Sequence, residues 1–229
     1  NQQVVGSSPI ISFEYKGKKM ISTNWVSEVD SDEQPNAAKK TDEASRSSDK
    51  DQVTSANNRV YFYSEVTRPK ILTLNKSLKN LEISMMNKAT ALQTTALGDI
   101  YLHINSYGGS VFAGFSALDY IRTSQVPVTT IIDGCAASAA TMMSVVGQHR
   151  MMHEHSFMLI HQLSAGSWGK YEELKDDMAN NDLLMKTIKD IYVKYTKIPQ
   201  KELAKMLKHD LWWTAKTCLK YGLIDEIIT

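Results

Sequence analysis

The chain has 229 residues, a formal net charge of +1 and an apolar content of 42%, enough for one substantial core. Its charges are interspersed, so composition favours neither nucleic acid nor an anionic membrane as a partner. No apolar run approaches the roughly 20 residues of a membrane-spanning helix. The two cysteines, Cys135 and Cys218, predict neither a disulfide framework nor a zinc site, and they favour the cytoplasm or an equivalent reducing compartment.

Composition divides the chain near residue 58. Residues 9–26 alternate apolar and polar side chains well enough to predict one or two short strands. Residues 27–58 are rich in Ser, Asp, Glu, Lys, Asn and Ala, so we expect a flexible polar linker. The prediction is an N-terminal extension over residues 1–58 and a folded domain over residues 59–229.

Strand patterns alternate with helix patterns in the folded domain. Strands are predicted at residues 59–64, 99–105, 126–132 and 157–160, and helices at residues 71–92, 111–122 and 136–146. This order predicts repeated βαβ units and a mostly parallel sheet, an α/β fold whose ligand site lies at the carboxyl ends of the strands.

A longer helical pattern spans residues 171–195, with apolar or aromatic residues at 174, 178, 184, 188, 191 and 195 on one stripe. Its length exceeds what one layer of a compact α/β domain requires. The helix either projects and packs on another subunit or lies along the surface of its own chain. Shorter helices are predicted at residues 199–207 and 214–221.

Ser138 is the strongest candidate nucleophile. It lies among small residues in Asp133-Gly-Cys-Ala-Ala-Ser-Ala-Ala-Thr, where a strand pattern gives way to a helix pattern, so a substrate carbonyl can reach Oγ and the N–H of Ala139. A small-residue helix packing closely on the sheet would explain the same run without chemistry. Gly108 and Gly109 follow another strand and would let the backbone approach a ligand, or would simply form a turn.

Histidines and carboxylates supply candidates for the remaining parts of acyl transfer. His161 ends a strand pattern, so we expect its ring near Ser138 as a base, although a core histidine is the alternative. Asp210, in a loop before the last helix, is the candidate that orients the base. The pair His153 and His155 lies on a predicted loop without further ligands, so no metal is expected. His103 is mid-strand and is interpreted as structural.

These motifs resemble the proteolytic subunit of the Clp ATP-dependent serine protease over about residues 59–228. The matching segments are Ile104-Asn-Ser-Tyr-Gly-Gly-Ser-Val-Phe-Ala-Gly, Gly134-Cys-Ala-Ala-Ser-Ala, Met158-Leu-Ile-His-Gln, His209-Asp-Leu-Trp-Trp-Thr-Ala and Tyr221-Gly-Leu-Ile-Asp. The resemblance implies a crotonase-like fold, a triad of Ser138, His161 and Asp210, and an oxyanion hole formed by the N–H groups of Gly109 and Ala139. It implies a Clp-protease-like catalytic domain over residues 59–229.

The resemblance also implies the setting of the chemistry. Peptide bonds of unfolded polypeptides would be hydrolysed inside a homo-oligomeric barrel of two stacked heptameric rings, with the helix at 171–195 as the handle between rings. Residues 163–169 would form a strand that pairs with substrate, and the expected substrate-binding residues are Gly108, Leu163, Ser164, Ala165 and Gly166. No metal or organic cofactor is expected, and ATP would bind to a partner AAA+ unfoldase, since the sequence has no phosphate-binding loop.

The chain departs from the family pattern in several places, among them a base motif that lies a little closer to Ser138 than usual, and two alternative functions remain. Tyr107 stands where the family usually has proline, His209 stands where an arginine is usual, and the extension over residues 1–58 is longer than the family's axial segment. A non-catalytic or regulatory ring subunit is one alternative function. A crotonase-like acyl-CoA hydrolase, whose paired oxyanion N–H groups serve thioester chemistry, is the other.

Overall fold

The computed structural model describes residues 12–15, 18–21, 52–96 and 98–229, and the chain forms two compact units, residues 1–46 and residues 47–229. In the first unit, β1 (Ser12–Tyr15) pairs antiparallel with β2 (Lys18–Ile21), which confirms the short strands predicted there. Most of the predicted linker, residues 27–51, lies outside the described residues. Within the described ranges, no helix is both long and apolar enough to cross a bilayer.

The second unit alternates strands and helices, as the sequence predicts. Its strands are β3 (Gln52–Ala56), β4 (Arg59–Tyr63), β5 (Ile100–Ser106), β6 (Val128–Ala137), β7 (His149–His153), β8 (Phe157–Leu159), β9 (Trp213–Thr214) and β10 (Glu226–Ile228). Its helices are α1 (Arg68–Ala91), α2 (Val111–Thr123), α3 (Ala139–Ser144), α4 (Tyr171–Tyr195), α5 (Gln200–Met206) and α6 (Ala215–Lys220).

The main sheet has the strand order β10-β7-β6-β5-β4-β3. In this order the pairs are parallel from β4 through β5, β6 and β7 to β10, and β3 joins β4 antiparallel. The long strand β6 changes partner along its length: it pairs with β7 at residues 129–132 and with β8 at residues 135–137. β8 in turn pairs antiparallel with β9, so the carboxyl end of β6 lies beside two short strands that arrive from distant parts of the chain.

One face of the sheet carries the core. Alternate strand residues such as Phe62, Leu102 and Ile132 are almost fully buried, and they belong to one apolar cluster with α1 residues Leu74 and Leu78. Since side chains alternate between the two faces of a strand, the remaining positions of β4 to β7 form a second face. That face carries tyrosine, histidine and aspartate side chains beside the buried Ile131.

Three element predictions are wrong in detail. The linker prediction fails at its end, because β3 occupies Gln52–Ala56 and pairs with β4; an edge strand is held by backbone hydrogen bonds and needs little apolar burial. The predicted helix at 136–146 begins only at Ala139, since residues 136 and 137 are held in β6 by their pairing with β8. β7 was not predicted, and His153 therefore ends a strand instead of lying on a loop.

Helix α4 has the predicted bounds, Tyr171–Tyr195. Only Ile188 and Tyr192 are buried, whereas every residue from 171 to 180 is exposed, including Tyr171 at 73% and Met178 at 62%. The amino-terminal half of α4 is therefore not packed on its own unit. This exposure agrees with a helix that projects from its unit, whereas packing on another subunit stays a prediction.

Candidate active site

Ser138 lies at a sharp turn between β6 and α3. Its backbone angles, φ 54° and ψ −127°, fall in a region that residues with a side chain rarely adopt, so neighbouring contacts must hold it there. Its N–H donates to the carbonyl of Leu159 at 2.8 Å, and its own carbonyl accepts from the N–H of Thr141 at 3.0 Å. The half-buried Ser138 thus has the strained backbone that clusters at functional sites.

The glycine turn after β5 lies directly against this serine. Gly108 has φ 97°, and a Cβ at this position would lie 2.7 Å from Ser138 Cβ and 3.1 Å from Ala139 N. Only glycine therefore allows the turn to approach the strand end this closely. The free space beside Ser138 is a consequence of the missing side chain at position 108.

Two backbone amides at this turn make no hydrogen bond among the described residues. Gly109 forms a β-bridge with Val66. In this bridge the Gly108 carbonyl accepts a hydrogen bond from Val66 N–H at 2.8 Å. The N–H of Gly109 itself has no acceptor among the described residues. The N–H of Ala139 belongs to the first residue of α3 and has no partner within the helix. Two donors are therefore available near Ser138.

His161 and Asp210 are in contact. His161 Nδ1 lies 3.6 Å from Asp210 Oδ1, and the two side chains are 23% and 80% exposed. This distance is an ion-pair contact and is longer than a hydrogen bond. The backbone bond from Gln162 N–H to the carbonyl of Leu207, at 2.7 Å, ties the two segments together. Because Nδ1 faces the carboxylate, Nε2 is the nitrogen left to take a proton.

Ser138 and His161 follow neighbouring strands. Ala137 pairs with Leu159 in the parallel ladder of β6 and β8, so the residues that follow these strands emerge at the same end of the sheet. No hydrogen bond joins Ser138 Oγ to His161 within the described ranges. Bonds of this kind are often long until substrate binds, so the missing bond does not argue against a role for the two residues.

The predicted substrate segment is not a strand in the single chain. Residues 163–169 form no regular secondary structure and, apart from the half-buried Leu163, are exposed. Leu163 N–H contacts Met185 Sδ at 3.0 Å, while Ser164, Ala165 and Gly166 make no hydrogen bond in the described structure. An extended segment becomes a strand only when another strand pairs with it, so the predicted pairing of this segment with substrate stays a prediction.

Thr141 and Tyr192 are two site residues that the sequence did not single out. Thr141 Oγ1 donates to the carbonyl of Ser138 at 2.6 Å and lies 2.5 Å from the hydroxyl of Tyr192. Tyr192 is 2% exposed, and burial raises its pKa to about 12, although the hydrogen bond to Thr141 acts in the opposite direction. The sequence carries one signal that predicts burial of Tyr192: it lies four residues after Ile188 and so on the same face of α4.

An aromatic contact at the rim was also not predicted. The rings of Tyr107 and Trp212 meet edge to face with centroids 6.3 Å apart. Tyr107 precedes the glycine turn and Trp212 closely follows Asp210, so this pair joins the two loops that border the site. Pairs of this geometry contribute about 0.5–1.5 kcal/mol.

A second histidine–aspartate pair lies on the open face of the sheet. His103 Nδ1 is 2.7 Å from Asp133 Oδ2, and its Nε2 is 2.7 Å from an Arg59 guanidinium nitrogen. Tyr63 donates to the same Asp133 oxygen at 2.7 Å. Burial by itself would raise the pKa of Asp133, but the hydrogen bonds from His103 and Tyr63 outweigh it and lower the pKa. The described residues hold no group of three or more metal-ligating side chains.

Comparison with known proteins places this geometry in context. Residues 39–229 match the Clp protease family. The ATP-dependent Clp protease proteolytic subunit of Deinococcus radiodurans is 36% identical over 132 residues, which are 57% of this chain and 65% of that protein. Subunit 1 of Chlamydia pneumoniae is 35% identical over 175 residues, 74% of this chain and 86% of that protein. The Streptococcus mutans subunit is 34% identical over 184 residues, which are 76% of this chain and 93% of that protein.

A solved structure shares the architecture. A ClpP1 mutant from Listeria monocytogenes matches this chain with a TM-score of 0.65 at 22% identity, over 75% of this chain and 91% of that one. At this identity the likeness shows the fold alone, and it confirms the crotonase-like fold that the sequence predicts.

Proposed function

The chain belongs to the Clp protease family and is a serine endopeptidase of the Clp type, and we propose that Ser138, His161 and Asp210 are its catalytic triad. The observation that carries the proposal is the placement of a strained serine after β6, beside the strand that leads into a histidine whose Nδ1 faces a carboxylate. Each residue then has one role in acyl transfer.

The proposed reaction proceeds through an acyl-enzyme. Ser138 Oγ attacks the carbonyl carbon of the peptide while its proton passes to His161 Nε2, and Asp210 stabilises the imidazolium through Nδ1. The tetrahedral intermediate collapses, the C–N bond breaks, and His161 returns the proton to the leaving amine. In the second half, water attacks the acyl carbon while His161 Nε2 takes a proton from it; the C–Oγ bond then breaks, His161 returns the proton to Ser138 Oγ, and the carboxylic acid product is released.

The N–H groups of Gly109 and Ala139 are the proposed oxyanion donors. Their lack of other hydrogen-bond partners in the described structure supports this role, because a donor already paired cannot serve a developing charge. Gly108 contributes space, since any side chain there would overlap the Ser138 Cβ and approach the Ala139 amide.

Substrate is proposed to bind in extended form along Leu163, Ser164, Ala165 and Gly166. The exposure of this segment beyond Leu163 and its lack of strand partners in the described chain support the idea, because a peptide could add as a strand and pair with these backbone groups. Backbone pairing is independent of side chains, so it suits unfolded polypeptides of varied sequence.

Assembly and partners are part of the proposal. The relatives are named as proteolytic subunits of an ATP-dependent protease. We propose a homo-oligomer of two stacked heptameric rings joined through α4, and an AAA+ unfoldase that binds ATP and supplies substrate. The exposed apolar residues on the projecting half of α4 support a subunit contact there. The proposed setting is the cytoplasm or an equivalent reducing compartment, in keeping with the free thiols of Cys135 and Cys218.

A fluorophosphonate probe tests the triad directly. The probe should label wild-type protein once per chain, with the modified peptide containing Ser138, and the same preparation should cleave a short fluorogenic peptide without ATP. Ser84→Ala, on α1 and away from the site, should behave like wild type. Absence of labelling together with absence of peptide cleavage in an assembled preparation would indicate a non-catalytic subunit. Hydrolysis of acyl-CoA without peptide cleavage would favour the thioester alternative.

A further inference from the structure

A chain of hydrogen bonds runs from the long helix to the backbone of the proposed nucleophile. The Tyr192 hydroxyl on α4 lies 2.5 Å from Thr141 Oγ1 on α3, and Thr141 Oγ1 lies 2.6 Å from the carbonyl oxygen of Ser138. Tyr192 is 2% exposed and Thr141 is 0% exposed. The contact therefore lies inside the protein, out of competition with water.

The direction of both bonds follows from the groups involved. A carbonyl oxygen only accepts, so the single hydroxyl proton of Thr141 is donated to Ser138. Thr141 Oγ1 can then only accept from Tyr192, whose O–H must be the donor. The raised pKa of Tyr192, caused chiefly by its burial, keeps this hydroxyl protonated at neutral pH. Bonds in such a series polarise one another and strengthen the final one.

The anchored carbonyl belongs to the same peptide unit as a proposed oxyanion donor. Ser138 C=O and Ala139 N–H are the two ends of one planar peptide, in which they point in opposite directions. The Ser138 oxygen accepts from both the N–H and the hydroxyl of Thr141, at 3.0 Å and 2.6 Å. Fixing the oxygen from two sides fixes the direction in which the Ala139 N–H points.

Backbone strain makes this anchor necessary. Ser138 has φ 54° and ψ −127°, a conformation that costs of order 1–3 kcal/mol and persists only where surrounding contacts impose it. A rotation of ψ at Ser138 would relax the backbone, but it would also swing the Ala139 N–H away from its direction. The hydroxyl of Thr141 opposes that rotation, and Tyr192 holds the hydroxyl in place.

We propose that Thr141 and Tyr192 are positioning residues that orient the Ser138–Ala139 peptide, and through it the Ala139 N–H, toward the oxyanion of the tetrahedral intermediate. The inference rests on the proposed function of this site and extends it to a residue on α4. Neither side chain needs to touch substrate. Their effect is expected in the transition state, because the negative charge that the N–H stabilises is absent from the bound substrate.

Four variants separate positioning from simple packing. Tyr192→Phe removes only the outer hydroxyl, Thr141→Val removes the hydroxyl that bonds Ser138, and Thr141→Ser restores it. Tyr195→Phe is the matched control, since it removes a tyrosine hydroxyl from the same helix that has no hydrogen bond within the described residues. Each protein is assayed with a fluorogenic peptide, well below the lowest melting temperature of the set.

The expected result is a loss in kcat with little change in KM. Tyr192→Phe should lower kcat about tenfold and Thr141→Val about 30-fold, each less than the 10²–10³-fold loss that follows removal of an oxyanion donor. KM should stay within about twofold, and affinity for a peptide boronic acid, which forms a tetrahedral adduct with the serine, should fall in parallel with kcat. Thr141→Ser and Tyr195→Phe should stay within about threefold of wild type.

Several outcomes would overturn the inference. They are an unchanged kcat and boronate affinity in Tyr192→Phe and Thr141→Val, a rise in KM at constant kcat, or a Thr141→Ser enzyme as impaired as Thr141→Val. If Tyr192→Phe is unfolded at the assay temperature, the kcat values of Thr141→Val and Thr141→Ser test the inference by themselves. These failures differ from failure of the proposed function, in which wild-type protein would show no labelling at Ser138 and no peptide cleavage.

Discussion

Two of the histidine–aspartate pairs among the described residues have opposite properties. His103 Nδ1 and Asp133 Oδ2 lie 2.7 Å apart, with side chains only 10% and 16% exposed. His161 Nδ1 and Asp210 Oδ1 lie 3.6 Å apart, and Asp210 is 80% exposed. By distance and burial alone, the first pair would be the better candidate for a catalytic dyad.

The surroundings reverse that ranking. Both ring nitrogens of His103 are engaged, since Arg59 can only donate and therefore occupies Nε2. No nitrogen remains to accept a proton from a nucleophile. His161 keeps Nε2 available and follows the strand beside Ser138. A short, fully bonded pair therefore has a structural role, while base catalysis requires a histidine with one unused nitrogen beside a reactive group.

Ser138→Ala should have the largest effect on activity of the variants considered. Loss of the nucleophile should reduce peptidase activity by at least about 10³-fold and abolish fluorophosphonate labelling. The fold should survive, because removing one hydroxyl among small residues leaves almost no cavity. Peptide turnover, intact-mass labelling and circular dichroism check this together. Residual activity near a tenth of wild type would show that another residue attacks.

Replacement of the two aspartates by asparagine compares the pairs directly. Asp210→Asn should lower kcat by about 10²–10³-fold, because a neutral amide does not stabilise the imidazolium of His161. Asp133→Asn should leave kcat within about threefold, since its pair takes no part in the chemistry. Steady-state kinetics on both variants checks this. The reverse ranking would assign catalysis to the His103 pair and refute the proposed site.

A charge introduced on α4 tests whether subunit assembly affects the catalytic activity of the exposed His161–Asp210 pair. Met178→Asp should weaken subunit association by about 100-fold, since burying an unpaired carboxylate at an apolar contact is costly. Native mass spectrometry should then show smaller species, with lower peptidase activity if association shields Asp210. Asn180→Asp, which adds the same charge to the opposite side of α4, is the control. Equal masses for both variants and wild type would remove α4 from the interface.

The smallest expected effect concerns stability and pH. The pKa of Asp133 is lowered in the folded state by hydrogen bonds that outweigh its burial, so the ionised form stabilises the fold. Asp133→Asn should reduce the unfolding free energy by about 1–3 kcal/mol at pH 7. This difference should be complete above the unfolded pKa of about 3.9 and should disappear as pH falls through the lower folded value.

Urea unfolding at several pH values measures this dependence. The two proteins should differ near neutrality and converge in acid. A stability difference that stays constant down to about pH 3, below the unfolded value, would mean that the Asp133 charge contributes nothing and that only its shape matters. Asp210→Asn should show little stability change at any pH, because its carboxylate is largely in solvent.

The amino-acid sequence determined the α/β alternation and the length of α4. These features follow from local periodicity: Ile188 and Ile191 continue a helical stripe that ends at Tyr195, and the apolar run before Ser106 predicts a buried strand. The motif residues Ser138, His161 and Asp210 were also identified from the sequence, since each follows or precedes a recognisable element.

Contacts between elements that are remote in sequence decided the features that local periodicity did not predict. Residues 136 and 137 are good helix formers, but β8 holds them in β6, and polar Gln52–Ala56 is a strand because β4 offers hydrogen-bond partners. The contact of Thr141 with Tyr192 joins positions 51 residues apart, and no local pattern encodes it. Local periodicity specifies which face of an element is apolar, whereas only the packed fold decides which buried hydroxyl meets which partner, because that depends on distances between elements that are remote in sequence.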